Sequence, residues 1–159
     1  MKRLLCIGVA AAIAAVSSTT WAQGGPPTPE QQAKSAIETR QGLFKVMASQ
    51  FGPIGGMLRN QVPFDAALVA KNSARIEVIS DMVPELFAND TRKFTATPTK
   101  ALDGIWNSLP DFKVKSDGLT KAAAALTAAA KSGDKAATLK AAGEVGKACG
   151  ACHDSYRAK

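Results

Sequence analysis

Histidine occurs once in the 159 residues, at position 153, which leaves no pair of imidazoles for a metal and no histidine acid or base elsewhere in the chain. Cysteine occurs three times, at positions 6, 149 and 152. Cys6 lies in an apolar N-terminal stretch. The other two are too close in sequence to close a useful loop, so they point to chemistry rather than to a disulfide framework. One thiol pair with one imidazole also falls short of the four ligands of a structural zinc site. Aromatic residues are few, and no cluster of lysine or arginine interleaved with aromatic platforms marks a nucleic-acid face. Alternating apolar and polar runs bounded by turn residues are absent, so strands are not expected.

Residues Met1 to Ala22 form the one long apolar feature. Lys2 and Arg3 precede an apolar run from Leu4 to Val16, and Thr20-Trp21-Ala22 closes it in the manner of a cleavage site. This pattern predicts a cleaved secretory signal peptide. The run is shorter than the roughly 20 residues that span a bilayer, and no later stretch approaches that length, so no membrane association is expected. Cleavage after Ala22 leaves residues 23–159 as one domain, long enough to bury a core without staples. Of 20 basic residues, removing Lys2 and Arg3 leaves 18 against 13 acidic ones, a net charge of +5. The basic residues are scattered among acids, which reads as a solvated surface or as mild steering of an acidic redox partner.

Four helices follow from apolar period and punctuation. The first runs from Glu30 to about Phe51 with Ile37, Phe44, Ala48 and Phe51 on its stripe, and Gly52-Pro53 is expected to break it. The second begins at the N-cap Asp65, carries Leu68, Ile76, Ile79, Val83 and Leu86, and ends near Phe87. A polar surface loop covers Asn89 to Thr99. The third covers about Ala101 to Lys131, with Pro110 either kinking it or starting a new helix. In its second half Leu119, Ala122, Ala123, Leu126, Ala129 and Ala130 make a narrow stripe of small side chains. Gly133 and Asp134 separate it from a fourth helix, Lys135 to about Arg157. The fold class expected is all-α, an antiparallel four-helix bundle.

The chemistry is concentrated in Cys149-Gly150-Ala151-Cys152-His153. C-x-x-C-H is the attachment signature of c-type heme. On a helix, positions i, i+3 and i+4 project to one side, so two thiols reach two vinyl groups while the imidazole sits beneath the iron. A dithiol redox pair is the rival of another class. Such a pair sits at a helix start after a strand, whereas Cys149 lies near the end of the last helix. With His153 the only histidine, a sixth iron ligand is a methionine or is not supplied by the protein. Met47, Met57 and Met82 all lie at or near apolar helical faces, where methionine commonly fills core.

Beyond the motif, the chain resembles the cytochromes c′, periplasmic four-helix-bundle cytochromes with heme near the C-terminus. The run from Arg40-Gln41-Gly42-Leu43-Phe44 to Phe51-Gly52 is similar to the family's first helix. Pro63-Phe64-Asp65-Ala66-Ala67 looks like the start of its second, and Ile105-Trp106 is similar to a dipeptide of its third. Lys147 to Arg157 resembles the family's K-x-C-x-x-C-H-D-x-Y-R terminus, the most specific of these stretches.

The resemblance implies one covalently bound heme c, with Cys149 and Cys152 as attachment points and His153 as the axial iron ligand. It further implies that Arg40 and Gln41 contact heme near the propionates, that Phe44 is the distal residue over the open iron face, and that Arg157 lies one helical turn beyond His153 beside it. Thr99 is a looser candidate contact. The implied function is five-coordinate iron that binds nitric oxide or carbon monoxide, or passes single electrons to redox partner proteins, and not an enzyme. Low-spin relatives carry an axial methionine about one turn before the Phe44 position, where this chain has Thr39, Arg40 and Gln41. The resemblance also implies a homodimer through the first two helices, for which Ile54, Met57 and Leu58 offer an apolar patch or are core. Pro110 interrupts what the family keeps as a continuous third helix, and Asp103-Gly104 replaces its usual Pro-acidic start.

Overall fold

The computed structural model describes residues 25–159; the expected signal peptide at residues 1–22 lies outside them. The first helix, α1 (Pro29–Leu58), opens with a capping box in which the Thr28 hydroxyl accepts from the Gln31 backbone and the Gln31 side chain accepts from the Thr28 backbone. Its buried stripe is Ala33, Ile37, Arg40, Met47 and Ile54. Met47, not Ala48, takes the inward place, and Ala48 is exposed.

Gly52-Pro53 does not end this helix. Pro53 lacks the N–H that would bond the Ser49 carbonyl, and the neighbouring Gln50 carbonyl accepts from the Asn72 side chain of the next helix at 3.0 Å. Burial of Ile54 and Met57 holds the turn beyond the proline. The chain then reverses at Asn60, in the left-handed region at φ 55°. Asn60 N–H bonds the Met57 carbonyl and Gln61 N–H the Gly56 carbonyl, a Schellman ending. Ile54 and Met57 are core and are not available as a docking patch.

Asp65 caps α2 (Ala66–Asp81), as the sequence predicts. The second helix stops sooner than its apolar period suggests. Pro84 leaves the Ser80 carbonyl without its helical donor, Met82 makes an irregular step, and a short α3 (Val83–Leu86) follows. The Ser116 hydroxyl of a later helix supplies the missing donor to Ser80 at 2.9 Å. The third expected helix is likewise divided, into α4 (Gly104–Asn107) and α5 (Leu109–Lys131), with Pro110 in the first turn of α5, where its missing N–H costs nothing. Gly133 at φ 78° and the Asp134 cap then lead into α6 (Lys135–Tyr156).

The four long helices close a ring in which α1 packs on α2, α2 on α5, α5 on α6 and α6 on α1. The architecture is an antiparallel four-helix bundle. Its core runs through Met47, Ile54, Val69, Ile76, Phe112, Leu126, Ala142 and Val145. Small residues on α5, with Ala123 and Leu126 fully buried, let α2 approach closely enough for hydroxyl pairs across the seam. Ser73 meets Thr127 at 2.8 Å and Ser80 meets Thr120 at 2.9 Å. These bonds satisfy buried polar groups and fix the register of the two helices.

Candidate functional site

The C-terminal half of α6 carries the thiols. Cys149 and Cys152 are free, half-buried and packed against the core cluster, three residues apart and so on one face of an unbroken helix. Burial pushes both thiols up from their ordinary value, and nearby Lys115 only partly opposes this at Cys152. They stand toward the negative end of the helix dipole, which also disfavours thiolate. His153 follows on the same side and is exposed. Partial desolvation, then the positive charge of Arg157, lowers its basicity against the opposing pull of Asp154. A neutral imidazole, the form that ligates a metal, is therefore favoured at neutral pH.

The residues after His153 are clamped. Leu102 N–H donates to the Tyr156 carbonyl at 3.0 Å and Ala158 N–H to the Lys100 carbonyl at 2.8 Å, so Ala101 and Arg157 pair antiparallel. The Tyr156 ring is buried, stands edge-on to Phe112 with centroids 5.3 Å apart, and its hydroxyl donates to the Asp111 carboxylate. Arg157 lies one turn beyond His153, its N–H donating to the His153 carbonyl at 3.2 Å. Helical dihedrals end at Tyr156, so Arg157 is an extended C-cap residue with φ −124°, and its charge acts on His153.

On α1, Arg40 interrupts an otherwise apolar stripe and is buried. A buried guanidinium requires acceptors, and the loop after α3 provides them. Nε donates to the Leu86 carbonyl at 2.7 Å, Nη1 to the Thr91 hydroxyl at 2.8 Å and Nη2 to the Asn89 carbonyl at 2.6 Å. Its Cζ lies 4.6 Å from the Phe87 ring centroid and 5.5 Å from that of Trp106. Desolvation lowers its pKa, opposed by Asp90, and arginine stays cationic regardless. Three of five N–H groups are thereby engaged, leaving one on each terminal nitrogen.

Gln41 ties the same loop farther along, donating to the Pro98 carbonyl at 2.9 Å. The Thr99 hydroxyl accepts from Ala101 N–H and is exposed. The segment expected to be a simple surface loop is therefore pinned at several points to α1.

Phe44 is 39% exposed, more open than a core phenylalanine, and contacts the Phe87 ring at 6.3 Å between centroids. Phe87 continues to Trp106 at 5.9 Å and Phe112 at 4.9 Å. Rings thus run without a gap from α1 to the clamp after His153. Phe87, Phe112 and Asp111 were not singled out by the sequence as site residues, and Tyr156 stood out only as the tyrosine of the C-terminal motif. An arginine within an apolar stripe was the one signal that a buried polar anchor lay here. Met47 and Met57 are buried in the core, and Met82 is exposed at the end of α2.

Comparison with known proteins gives a consistent result. A family model described as cytochrome c′ matches residues 35–157. The chain is 36% identical over 129 residues to a cytochrome c′ of Rubrivivax gelatinosus, covering 81% of this chain and 98% of that protein. It is 36% identical over 130 residues to cytochrome c-554 of Cereibacter sphaeroides, covering 81% and 84%. Among solved structures, cytochrome c prime from Shewanella frigidimarina superposes with a TM-score of 0.73 at 35% identity, over 80% of this chain and 97% of that one. A nitric oxide complex of a variant of cytochrome c prime from Alcaligenes xylosoxidans superposes with a TM-score of 0.69 at 32% identity, over 80% and 97%.

Proposed function

The chain belongs to the cytochrome c′ family and carries covalently bound heme c, and from that premise we propose that it is a periplasmic protein binding nitric oxide or carbon monoxide at five-coordinate iron. Cys149 and Cys152 would hold the group through thioethers, and His153 would be the one protein ligand to iron. The donor set fits. Two free, protonated thiols on one face of α6 suit addition to vinyl groups, and a neutral imidazole lies next to them on the same side. Heme supplies the iron that takes up a diatomic ligand and changes valence by one electron.

The observation that carries the open-iron reading is the pairing of a single histidine with Phe44, half-exposed on α1. A phenylalanine occupies the distal place and offers no donor to iron. Met47, one turn later, is enclosed in the core, which supports the five-coordinate reading over a low-spin methionine-ligated carrier. Arg40 and Gln41 retain N–H groups for an anionic edge of the cofactor while holding the loop in place, and Arg157 keeps a positive charge beside His153. Binding, with one-electron exchange toward redox partner proteins, is the function so described; it is not an enzyme's.

The location of the thiols disfavours the dithiol reading. Dithiol enzymes lower a cysteine pKa at a helix N-terminus, whereas these thiols are raised and near a helix C-terminus. A homodimer through the first two helices belongs to the same proposal, supported by the exposed apolar side chains Val46 on α1 and Val78 and Met82 on or beside α2.

Intact-mass measurement and a pyridine hemochrome assay on protein from the periplasmic fraction test the attachment. One covalent heme on a chain beginning at Gln23 is expected, with loss of covalent heme in Cys149→Ser plus Cys152→Ser. Dithiol turnover by a heme-free chain would overturn the reading.

A further inference from the structure

We propose that Phe87 is a positioning residue for the distal face: it limits how far the Phe44 ring swings aside, and so sets the rate at which a diatomic ligand enters. The inference rests on the reading of Phe44 as the distal cap. Among the described residues Phe44 touches one other ring, that of Phe87, at a tilted separation within the usual range for aromatic pairs. A ligand arriving beneath the cap must displace it. Movement toward the bundle meets Phe87.

Phe87 itself has no comparable freedom. It is 3% exposed, with Phe112 at 4.9 Å, Trp106 at 5.9 Å and the Arg40 guanidinium at 4.6 Å from its ring. Its backbone is held as well, since the Phe87 carbonyl accepts from the Trp106 indole N–H at 3.0 Å and the preceding Leu86 carbonyl accepts from Arg40. Shifting Phe87 would require an arginine with three hydrogen bonds to move with it. The ring is thus a fixed stop, and packed interiors do not yield continuously to a small push.

Carbon monoxide association with the reduced holoprotein, measured after flash photolysis, tests this. Phe87→Leu should raise the association rate roughly tenfold, equivalent to about 1.4 kcal/mol of barrier. A crystal structure of that variant should show the Phe44 ring turned into the vacated space. Phe112→Leu removes a ring of similar burial from the far side of Phe87 and should lower the unfolding midpoint without a comparable change in rate. Phe44→Ala separates the two levels of the argument. If Phe44→Ala accelerates binding but Phe87→Leu does not, and Phe44 keeps its conformer, the role of Phe87 is overturned while the cap survives. If Phe44→Ala leaves the rate unchanged, the reading of the cap itself fails. Equal acceleration by Phe87→Leu and Phe112→Leu would show general loosening and also overturn the proposal.

Discussion

Arg40 joins the first helix to residues 46 to 51 positions away in sequence, and its removal orphans two carbonyls and a hydroxyl at once. Arg40→Ala should cost roughly 3 kcal/mol in chemical denaturation, because three charge-assisted bonds are lost at once and the Thr91 hydroxyl stays buried without its donor. Arg40→Lys should recover little of this, since an ammonium cannot reproduce the planar fork. Tyr156 gives a pH test. Its hydrogen bond to Asp111, followed by burial, raises the phenol above its ordinary value, so the folded state keeps a proton that the unfolded state releases. This stabilisation is complete below about pH 10 and fades as pH rises through the raised folded value. Alkaline unfolding followed by circular dichroism should therefore be steeper for the native chain than for Tyr156→Phe. At this scale the placement of the thiols and His153 on one helix was legible in the sequence, because all three groups fall within five consecutive residues. The partners of Arg40 and Tyr156 were not, because nothing near either residue names Thr91 or Asp111.

Helices were legible from period and caps, and prolines were where that reading went astray. Pro53 was expected to end α1, yet the helix continues to Leu58; Pro84 divides the second helix where none of its apolar positions falters. At Pro84 a side chain from another helix takes up the carbonyl that the proline frees, and beyond Pro53 the burial of Ile54 and Met57 carries the helix on. Asn72 bonds the Gln50 carbonyl and Ser116 bonds the Ser80 carbonyl, and such donors are invisible to a rule that considers one segment at a time. Asn72→Ala should destabilise the bundle by about 1 kcal/mol, the usual net worth of one hydrogen bond, since the Gln50 carbonyl keeps its helical donor. Gln50→Ala, which keeps the backbone carbonyl and Asn72, should cost much less in the same thermal melts. Pro110 behaved as one of its two expected alternatives, the start of a new helix.

For the molecule as a whole, the ring of four helices brings Phe44 on α1, the aromatic chain and the C-x-x-C-H motif on α6 to one end of the bundle. The loop between α3 and α4 is part of that end, held by Arg40, Gln41 and Trp106. Pairing of two copies through α1 and α2 should appear as a dimer in sedimentation equilibrium, and charged replacements at Val78 and Met82 should shift it to monomer without altering the heme spectrum. The central claim is that His153 is the only protein ligand and that the face under Phe44 is open. The absorption spectrum of the reduced protein with and without nitric oxide tests it most directly: a broad high-spin Soret band that changes when the gas is added is predicted, and a six-coordinate low-spin spectrum with little response would contradict it.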